Sequence, residues 1–274
     1  MVQARLTAIA LIALAAMSCS PRMSWEKHIV DGHRTGVTSV IGSDITDALG
    51  MVDEEIYYSP NGNAFNSGST PAAASILLSV QPQMSYLKEV LGHSPAVMGK
   101  GRPESELGNW AVDAMMKGVE TITGRKVDFG VVNVGGIRLD MPAGDVLLDD
   151  IVSMFPFHNY LCYLSLKGSD IRALLAQMAA GKMEAVGGVV AEVVDGKLVS
   201  AVIDGSLLDD DRIYGVATLD FLLDGGDGLS VARNAKELII TDVLMKQWMT
   251  QYVRSLTEAG KEVEYSKDGR VKVI

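Results

Sequence analysis

Three polar loops interrupt an otherwise apolar framework and contain the residue types that bind small ligands: 133–138, 156–159 and 220–227. In the first loop, Asn133 and the glycines Gly135 and Gly136 follow an apolar run, and Arg138 comes two residues later. Adjacent glycines after a strand allow backbone N–H groups to converge on an anion, and an arginine adds two parallel donors. This loop predicts a phosphate or carboxylate site. The alternative is a tight turn in which Arg138 pairs with Asp140.

The other two loops offer a carboxylate and an aromatic ring. Asp227 lies in the glycine-rich segment 224–228, where a constrained backbone would let its carboxylate accept two hydrogen bonds from a diol such as ribose. The alternative is a calcium ion held by Asp224 and Asp227, although their spacing does not match the twelve-residue loop with a terminal glutamate. Phe157 follows a proline and precedes a predicted strand, a context in which phenylalanine usually packs into a core.

The strands that position these loops are indicated by apolar runs: 127–133, 159–166, 189–194, 198–203, 213–219 and 271–274. The first run is continuously apolar, which is typical of a strand buried on both faces. Asp195-Gly196 joins two of the runs and favours a type I′ turn, so these two form a predicted hairpin.

Helices are predicted where apolar residues recur at helical spacing: 72–91, 107–122, 171–178 and 243–256. Pro82 should kink or split the first of them. Ser105 and Gly124 are start and stop signals for the second, and Thr241 or Asp242 should cap the last. Together the elements predict one α/β (α+β-like) domain over residues 76–274, with a mixed sheet flanked by helices.

The N-terminal residues predict export. Residues 1–19 contain Arg5, an apolar stretch over 6–17 that is too short to span a bilayer, and Ser18-Cys19, as in a signal peptide. The small residues before Cys19 resemble the lipobox of bacterial lipoproteins, which implies lipidation of this cysteine; the alternative is an ordinary signal peptide with an incidental cysteine. Residues 20–75 are rich in turn signals and predict a loop-rich segment, to which runs at 37–41 and 56–58 could add a hairpin.

Composition restricts the class of protein. A hydrophobic content of 48% with 21% charged residues indicates a globular chain. The formal net charge of −10 argues against a polymeric nucleic acid as partner, because phosphate backbones require a basic surface. Cys19 and Cys162 are the only cysteines, so neither a disulfide framework nor a Cys-x-x-Cys metal site is indicated.

The order and separation of the three loops resemble the C-terminal domain of the 5′-nucleotidase family. Its pattern is Asn-Gly-Gly-Gly-Ile-Arg, then Pro-Phe-Gly-Asn, then Asn-Phe-Leu-x-x-Gly-Gly-Asp-Gly. The sequence Leu107-Gly108-Asn109 with Asp113 also matches the Gly-Asn-x-x-x-Asp helix of that family, and the resemblance covers roughly residues 76–260. Two positions depart from the pattern, since Val134 and His158 replace glycines.

This resemblance implies that the domain binds a nucleoside or a nucleoside 5′-phosphate. Phe157 and Phe221 would sandwich the base, and Asp227 would bind the ribose hydroxyls. The phosphate side would be formed by the first loop, with Asn133 and Arg138 supplying side chains and Gly135 and Gly136 supplying the turn. Arg102 is a further candidate for phosphate binding, because the family places an arginine shortly before its Gly-Asn helix.

In that family, hydrolysis belongs to a separate metallophosphoesterase domain with two divalent metals. The sequence has only four histidines, and Asp31-Gly32-His33 is interpreted as a coincidental match to its first motif. The resemblance therefore implies no catalytic residue, metal or cofactor in this chain, and a separately encoded metallophosphoesterase as partner. Alternatives are a stand-alone nucleoside-binding lipoprotein and a scaffold with a vestigial pocket. The expected location is the bacterial cell envelope, with membrane contact through the lipid anchor only, on the periplasmic side or at the outer membrane.

Overall fold

The computed structural model describes residues 33–38, 40 and 44–274. The predicted signal peptide, the lipidation site Cys19 and the Asp31-Gly32 pair lie outside these residues. Across the described part of the chain, no helix is long and apolar enough to cross a bilayer.

The segment before the main domain is more regular than its many turn signals suggest. Its elements are α1 (Ile45–Leu49), β1 (Met51–Asp53), β2 (Ile56–Tyr58), β3 (Ala64–Phe65) and α2 (Ser69–Met84). The three strands form an antiparallel sheet in the order β1-β2-β3, so the run at 56–58 is a strand, but its partners are β1 and β3 and not the run at 37–41. The run at 37–41 forms no strand at its described positions 37, 38 and 40. The predicted boundary between residues 75 and 76 falls inside α2.

The first predicted helix ends earlier than expected. It stops at Met84, two residues after Pro82, and a 3-10 turn over Ser85–Lys88 leads into β4 (Val90–Ser94). Proline has no N–H to continue the helical hydrogen bonds, and its ring clashes with the preceding turn. The prediction that Leu91 belongs to the helix is therefore wrong: it lies in β4 and is 2% exposed.

The remaining elements follow in chain order: α3 (Glu106–Thr123), β5 (Phe129–Val132), β6 (Gly144–Leu147), α4 (Leu148–Met154), β7 (Tyr160–Lys167), α5 (Gly168–Ala180), β8 (Ala185–Gly187), β9 (Val189–Val194), β10 (Lys197–Ile203), β11 (Ser206–Leu207), β12 (Ile213–Leu219), β13 (Glu237–Leu244), α6 (Met245–Glu258) and β14 (Val271–Val273). The central sheet has the order β13-β7-β12-β5-β8, and a second sheet has the order β11-β10-β9-β14. Strand β12 is parallel to β5 and antiparallel to β7.

The core lies on both faces of the central sheet. Tyr163 and Ala217 point to one face and pack with residues of α3 and α6. Their neighbours Leu164 and Val216 point to the opposite face and pack with α5 and the second sheet. This period-two alternation places helices on either side of a mixed sheet. The predicted fold class is confirmed.

The local signals of the sequence are correct at some element ends and wrong at others. Ser105 Oγ accepts a hydrogen bond from the Gly108 N–H, and Gly124 ends α3 with φ 65°, as predicted. The hairpin turn is also confirmed, with positive φ at Asp195 and Gly196. The predicted cap of the last helix at Thr241 or Asp242 is wrong. Strand β13 continues to Leu244, which pairs with β7, and α6 begins at Met245.

Candidate functional site

The sheet brings the three polar loops to one edge. The first loop follows β5, and the third follows β12, which is parallel to β5. The second loop precedes β7, which is antiparallel to β12, with Leu161 opposite Leu219. The ends of β5 and β12 and the start of β7 therefore meet at the same edge of the sheet, where ligands commonly bind in α/β folds.

These loops enclose a cavity of about 290 Å³, which we call the first cavity. It is lined by Asn133, Gly135, Gly136, Arg138, Phe157, Asn159, Phe221 and Asp227. Seven of the eight residues singled out from the sequence thus border one cavity. Arg102 is the exception. Asn159 was not singled out, although it ends the Pro-Phe-x-Asn motif and could have been found from it.

Both phenylalanine rings are held at the surface beside the cavity. Phe157 is 46% exposed and Phe221 is 45% exposed, so the expectation that Phe157 packs into a core is wrong. Asp220 Oδ1 accepts hydrogen bonds from the N–H groups of Tyr160 at 3.0 Å and Phe221 at 2.9 Å, and so joins the loops that carry the rings. A Cβ at Gly226 would lie 1.9 Å from the Phe221 carbonyl oxygen, so this close turn requires glycine.

The carboxylate of Asp227 is oriented by Asn133. Asn133 is 4% exposed, and its Nδ2 donates a hydrogen bond to Asp227 Oδ2 at 2.6 Å. No other hydrogen bond or ion pair to the Asp227 side chain occurs within the described residues, so Oδ1 remains a free acceptor. Asp227 itself has φ 48°, a left-handed conformation that aspartate tolerates better than most residues.

Arg138 is held by its own loop and not by Asp140. Its Nη1 donates to the Gly135 carbonyl at 3.2 Å, and its guanidinium carbon lies 5.9 Å from the centre of the Phe157 ring. Asp140 instead accepts from the Lys100 N–H, and Lys100 Nζ donates to the carbonyls of Ile137 at 2.7 Å and Arg138 at 2.9 Å. The predicted alternative of an Arg138–Asp140 pair is therefore wrong. The role of Lys100 had no sequence signal.

Arg102 borders a different cavity. This second cavity, of about 730 Å³, adjoins the first at Gly135 and Asp227, which line both. Arg102 Nη2 contacts both carboxylate oxygens of Glu184, at 2.7 and 2.8 Å. Glu184 is 5% exposed and also accepts the Val134 N–H at 2.6 Å. Sequence reasoning missed Glu184 because a single glutamate before a short strand has no motif of its own.

Within the described residues, no group of three or more histidine, cysteine, aspartate or glutamate side chains is placed to hold a metal ion. Asp224 and Asp227, considered for calcium, therefore have no third such side chain beside them in this part of the chain. Nor is Cys162 in β7 placed to act as a nucleophile. Burial, with a contribution from the charge of Asp220, raises the pKa of its thiol to about 12. The chemistry available in the first cavity is recognition by aromatic faces, a carboxylate and a guanidinium.

Comparison with known proteins identifies the family of this domain. The family model for the 5′-nucleotidase C-terminal domain matches residues 87–234. Protein UshA of Yersinia enterocolitica is 36% identical over 133 residues, which are 46% of this chain and 24% of that protein. A 5′-nucleotidase of Vibrio cholerae is 33% identical over 108 residues, 38% of this chain and 20% of that protein. The chain thus spans a quarter or less of the length of either relative.

Two further similarities cover more of the chain. Cell wall protein Lmo0130 of Listeria monocytogenes is 25% identical over 260 residues, 83% of this chain and 33% of that protein. The crystal structure of a 5′-nucleotidase precursor from Thermus thermophilus shares the fold, with a TM-score of 0.65 and 24% identity over 74% of this chain and 43% of that one. Since the family model covers more than half of the sequence, the chain belongs to the 5′-nucleotidase C-terminal domain family.

Proposed function

We propose that this domain recognises a nucleoside or a nucleoside 5′-phosphate in the first cavity, as the substrate-binding part of a 5′-nucleotidase. The observation that carries the proposal is the joint placement of Phe157, Phe221 and Asp227 around one cavity. Two exposed aromatic rings suit a flat base, and an oriented carboxylate suits a vicinal diol. A nucleoside combines these two groups in one small molecule.

The base, the ribose and the phosphate of the ligand each contact different residues of the first cavity. The base lies against the rings of Phe157 and Phe221, where stacking is worth about 1–3 kcal/mol per base and tolerates different bases. The ribose hydroxyls donate to Asp227, which Asn133 holds in place. Arg138 is the cation of the first cavity and contacts the 5′-phosphate when one is present.

Phosphate release would require a metal centre outside the described residues. We propose that it belongs to a metallophosphoesterase, encoded separately, and that this chain supplies recognition. The two-metal centre would activate water and stabilise the leaving oxygen. Mixing the two purified proteins at equal concentrations should create or raise phosphate release from AMP. Unchanged release would leave a second function, capture of nucleosides without turnover, which is favoured by a cavity formed entirely within this chain.

We further propose that the protein is anchored in the bacterial cell envelope through a lipid on Cys19. The sequence before Cys19 supports this location, and one relative is itself named a cell wall protein. Radiolabelled fatty acid should enter the wild-type protein and not the Cys19→Ser variant in the bacterium. Equal labelling of both would exclude this anchor.

Calorimetric titration tests the recognition itself. Adenosine and AMP should bind with a stoichiometry of one, whereas ribose alone should bind far more weakly because it lacks the stacking base. Binding of ribose as tightly as adenosine would exclude base stacking. Absence of binding by all three would favour a scaffold with a vestigial pocket.

A further inference from the structure

Glu184 is a buried carboxylate whose partners are unusual for a structural glutamate. It lies directly before β8 and is 5% exposed. Its Oε2 accepts the N–H of Val134 at 2.6 Å, and both of its oxygens contact Arg102 Nη2, at 2.7 and 2.8 Å. One carboxylate is therefore held by the N–H that opens a glycine-containing turn and by a guanidinium.

These two donors are the ones that an external anion would use. Backbone N–H groups of a turn and an arginine side chain form a typical site for phosphate or carboxylate groups. Arg102 is partly exposed and borders the second cavity, which adjoins the first at Gly135 and Asp227. A ligand in the first cavity would therefore lie beside the second cavity, with Gly135 and Asp227 bordering both.

We propose that Glu184 is an internal anion that occupies this anion position, and that it lowers the affinity of the site for phosphorylated ligands, whose phosphate is left with Arg138 as its cation. Its charge neutralises Arg102 and repels a phosphate group that enters the second cavity, whereas a neutral nucleoside meets no such cost. The proposal rests on the proposed recognition of nucleosides in the first cavity. It makes Glu184 a residue that discriminates between nucleoside and nucleoside monophosphate without contacting the base or the ribose.

The Glu184→Gln variant separates this role from a structural one. Glutamine keeps the size of the side chain and an acceptor for the Val134 N–H but removes the charge. The association constant for AMP should rise by about tenfold, while that for adenosine stays unchanged. Asp224→Asn is the matched control, because it removes one negative charge from a nearby loop outside both cavities, and it should leave the ratio of the two constants unaltered.

A second substitution tests whether Arg102 receives the phosphate. In Glu184→Gln combined with Arg102→Gln, the gain in AMP affinity should disappear. If Glu184→Gln changes the affinities for adenosine and AMP by the same factor, Glu184 only supports the loop and the proposal is overturned.

Removing the Glu184 carboxylate should leave a position that inorganic phosphate can occupy, and this binding can be measured without a nucleoside. Inorganic phosphate should bind to Glu184→Ala in calorimetry and raise its melting temperature, and it should do neither for the wild type or for Glu184→Ala with Arg102→Gln. If the wild-type protein binds neither adenosine nor AMP, the proposed function is wrong. Phosphate binding to Glu184→Ala still tests whether Glu184 occupies an anion position. A folded Glu184→Ala that does not bind phosphate contradicts this inference. If this variant does not fold, the AMP and adenosine titrations of Glu184→Gln decide alone.

Discussion

The amide group of Asn133 and the carboxylate of Asp227 form a hydrogen bond of 2.6 Å between Nδ2 and Oδ2. This bond connects the end of β5 to a loop 94 residues further along the chain. Because Asn133 is almost fully buried, its side chain has little freedom and fixes the direction of the Asp227 carboxylate. A group oriented before the ligand arrives loses less conformational entropy on binding.

Replacing Asp227 by asparagine should remove the preferred acceptor for the ribose hydroxyls. A hydrogen bond to a charged group contributes about 1.5–3 kcal/mol, and partial exposure reduces this, so adenosine affinity should fall by about tenfold. Calorimetry with 2′,3′-dideoxyadenosine is the internal reference, since this ligand lacks the diol and its affinity should not change. Asp224→Asn is the control for charge. Equal losses for the two ligands would show that Asp227 does not bind the hydroxyls.

Replacing Arg138 by methionine should discriminate between AMP and adenosine. The methionine keeps much of the apolar stem but loses the donors, so AMP affinity should fall by about fivefold, as expected for a solvent-exposed charged contact worth roughly 1 kcal/mol. Adenosine affinity should stay the same. Arg233→Met removes an exposed arginine outside the first cavity and serves as the control. A fall in adenosine affinity of the same size would assign Arg138 to packing against Phe157.

The thiol of Cys162 should be inert in the folded protein. Burial raises its pKa to about 12, so at pH 8 it is almost entirely protonated and inaccessible. Iodoacetamide at pH 8 should label the peptide that contains Cys162 only after denaturation, as measured by mass spectrometry. Rapid labelling without denaturant would mean that β7 opens readily and that the edge of the sheet beneath the site is not rigid.

The carboxyl group of Asp150 should make stability depend on pH. Burial raises its pKa above the ordinary value of 3.8, although the hydrogen bond from the Leu147 N–H opposes this shift. A raised pKa in the folded state means that the stabilising contribution is present below the ordinary value and is lost as pH rises through the folded value.

The Asp150→Asn variant should remove this dependence. Chemical denaturation should show wild-type stability falling relative to the variant as pH increases from below 3.8 through the raised pKa. Asp145→Asn, on the exposed side of β6, should follow the wild type. A constant difference across that range would show that Asp150 titrates normally.

Motifs whose function depends on local backbone geometry could be predicted from the sequence. The glycine turn after β5 and the Asp195-Gly196 hairpin are examples, since glycine and aspartate provide conformations that few residues can adopt. The order of the strands was not predicted, and the edge at which the loops meet follows from β12 being parallel to β5. The gathering of Phe157, Phe221 and Asp227 depends on this topology.

Features that depend on long-range contacts could not be predicted. Arg102 and Glu184 are 82 residues apart, and the sequence contains no signal that pairs them. The ammonium group of Lys100 donates hydrogen bonds to the carbonyl groups of Ile137 and Arg138 and so holds this loop. In the sequence, a lysine between two glycines is indistinguishable from an ordinary surface residue. The strand at Leu91 was missed for a related reason: its partner β6 lies more than 50 residues away, and helical periodicity was the stronger local signal.

Titration of adenosine into Phe157→Ala, Phe221→Ala and the double variant tests the central claim most directly. Each ring contributes stacking of about 1–3 kcal/mol, so each single variant should lower the affinity between about fivefold and a hundredfold. The double variant should show no measurable binding, while Tyr86→Ala, which removes an exposed aromatic ring that borders neither cavity, should bind like the wild type. Unchanged adenosine affinity in a folded double variant would contradict the assignment of the first cavity as a nucleoside site.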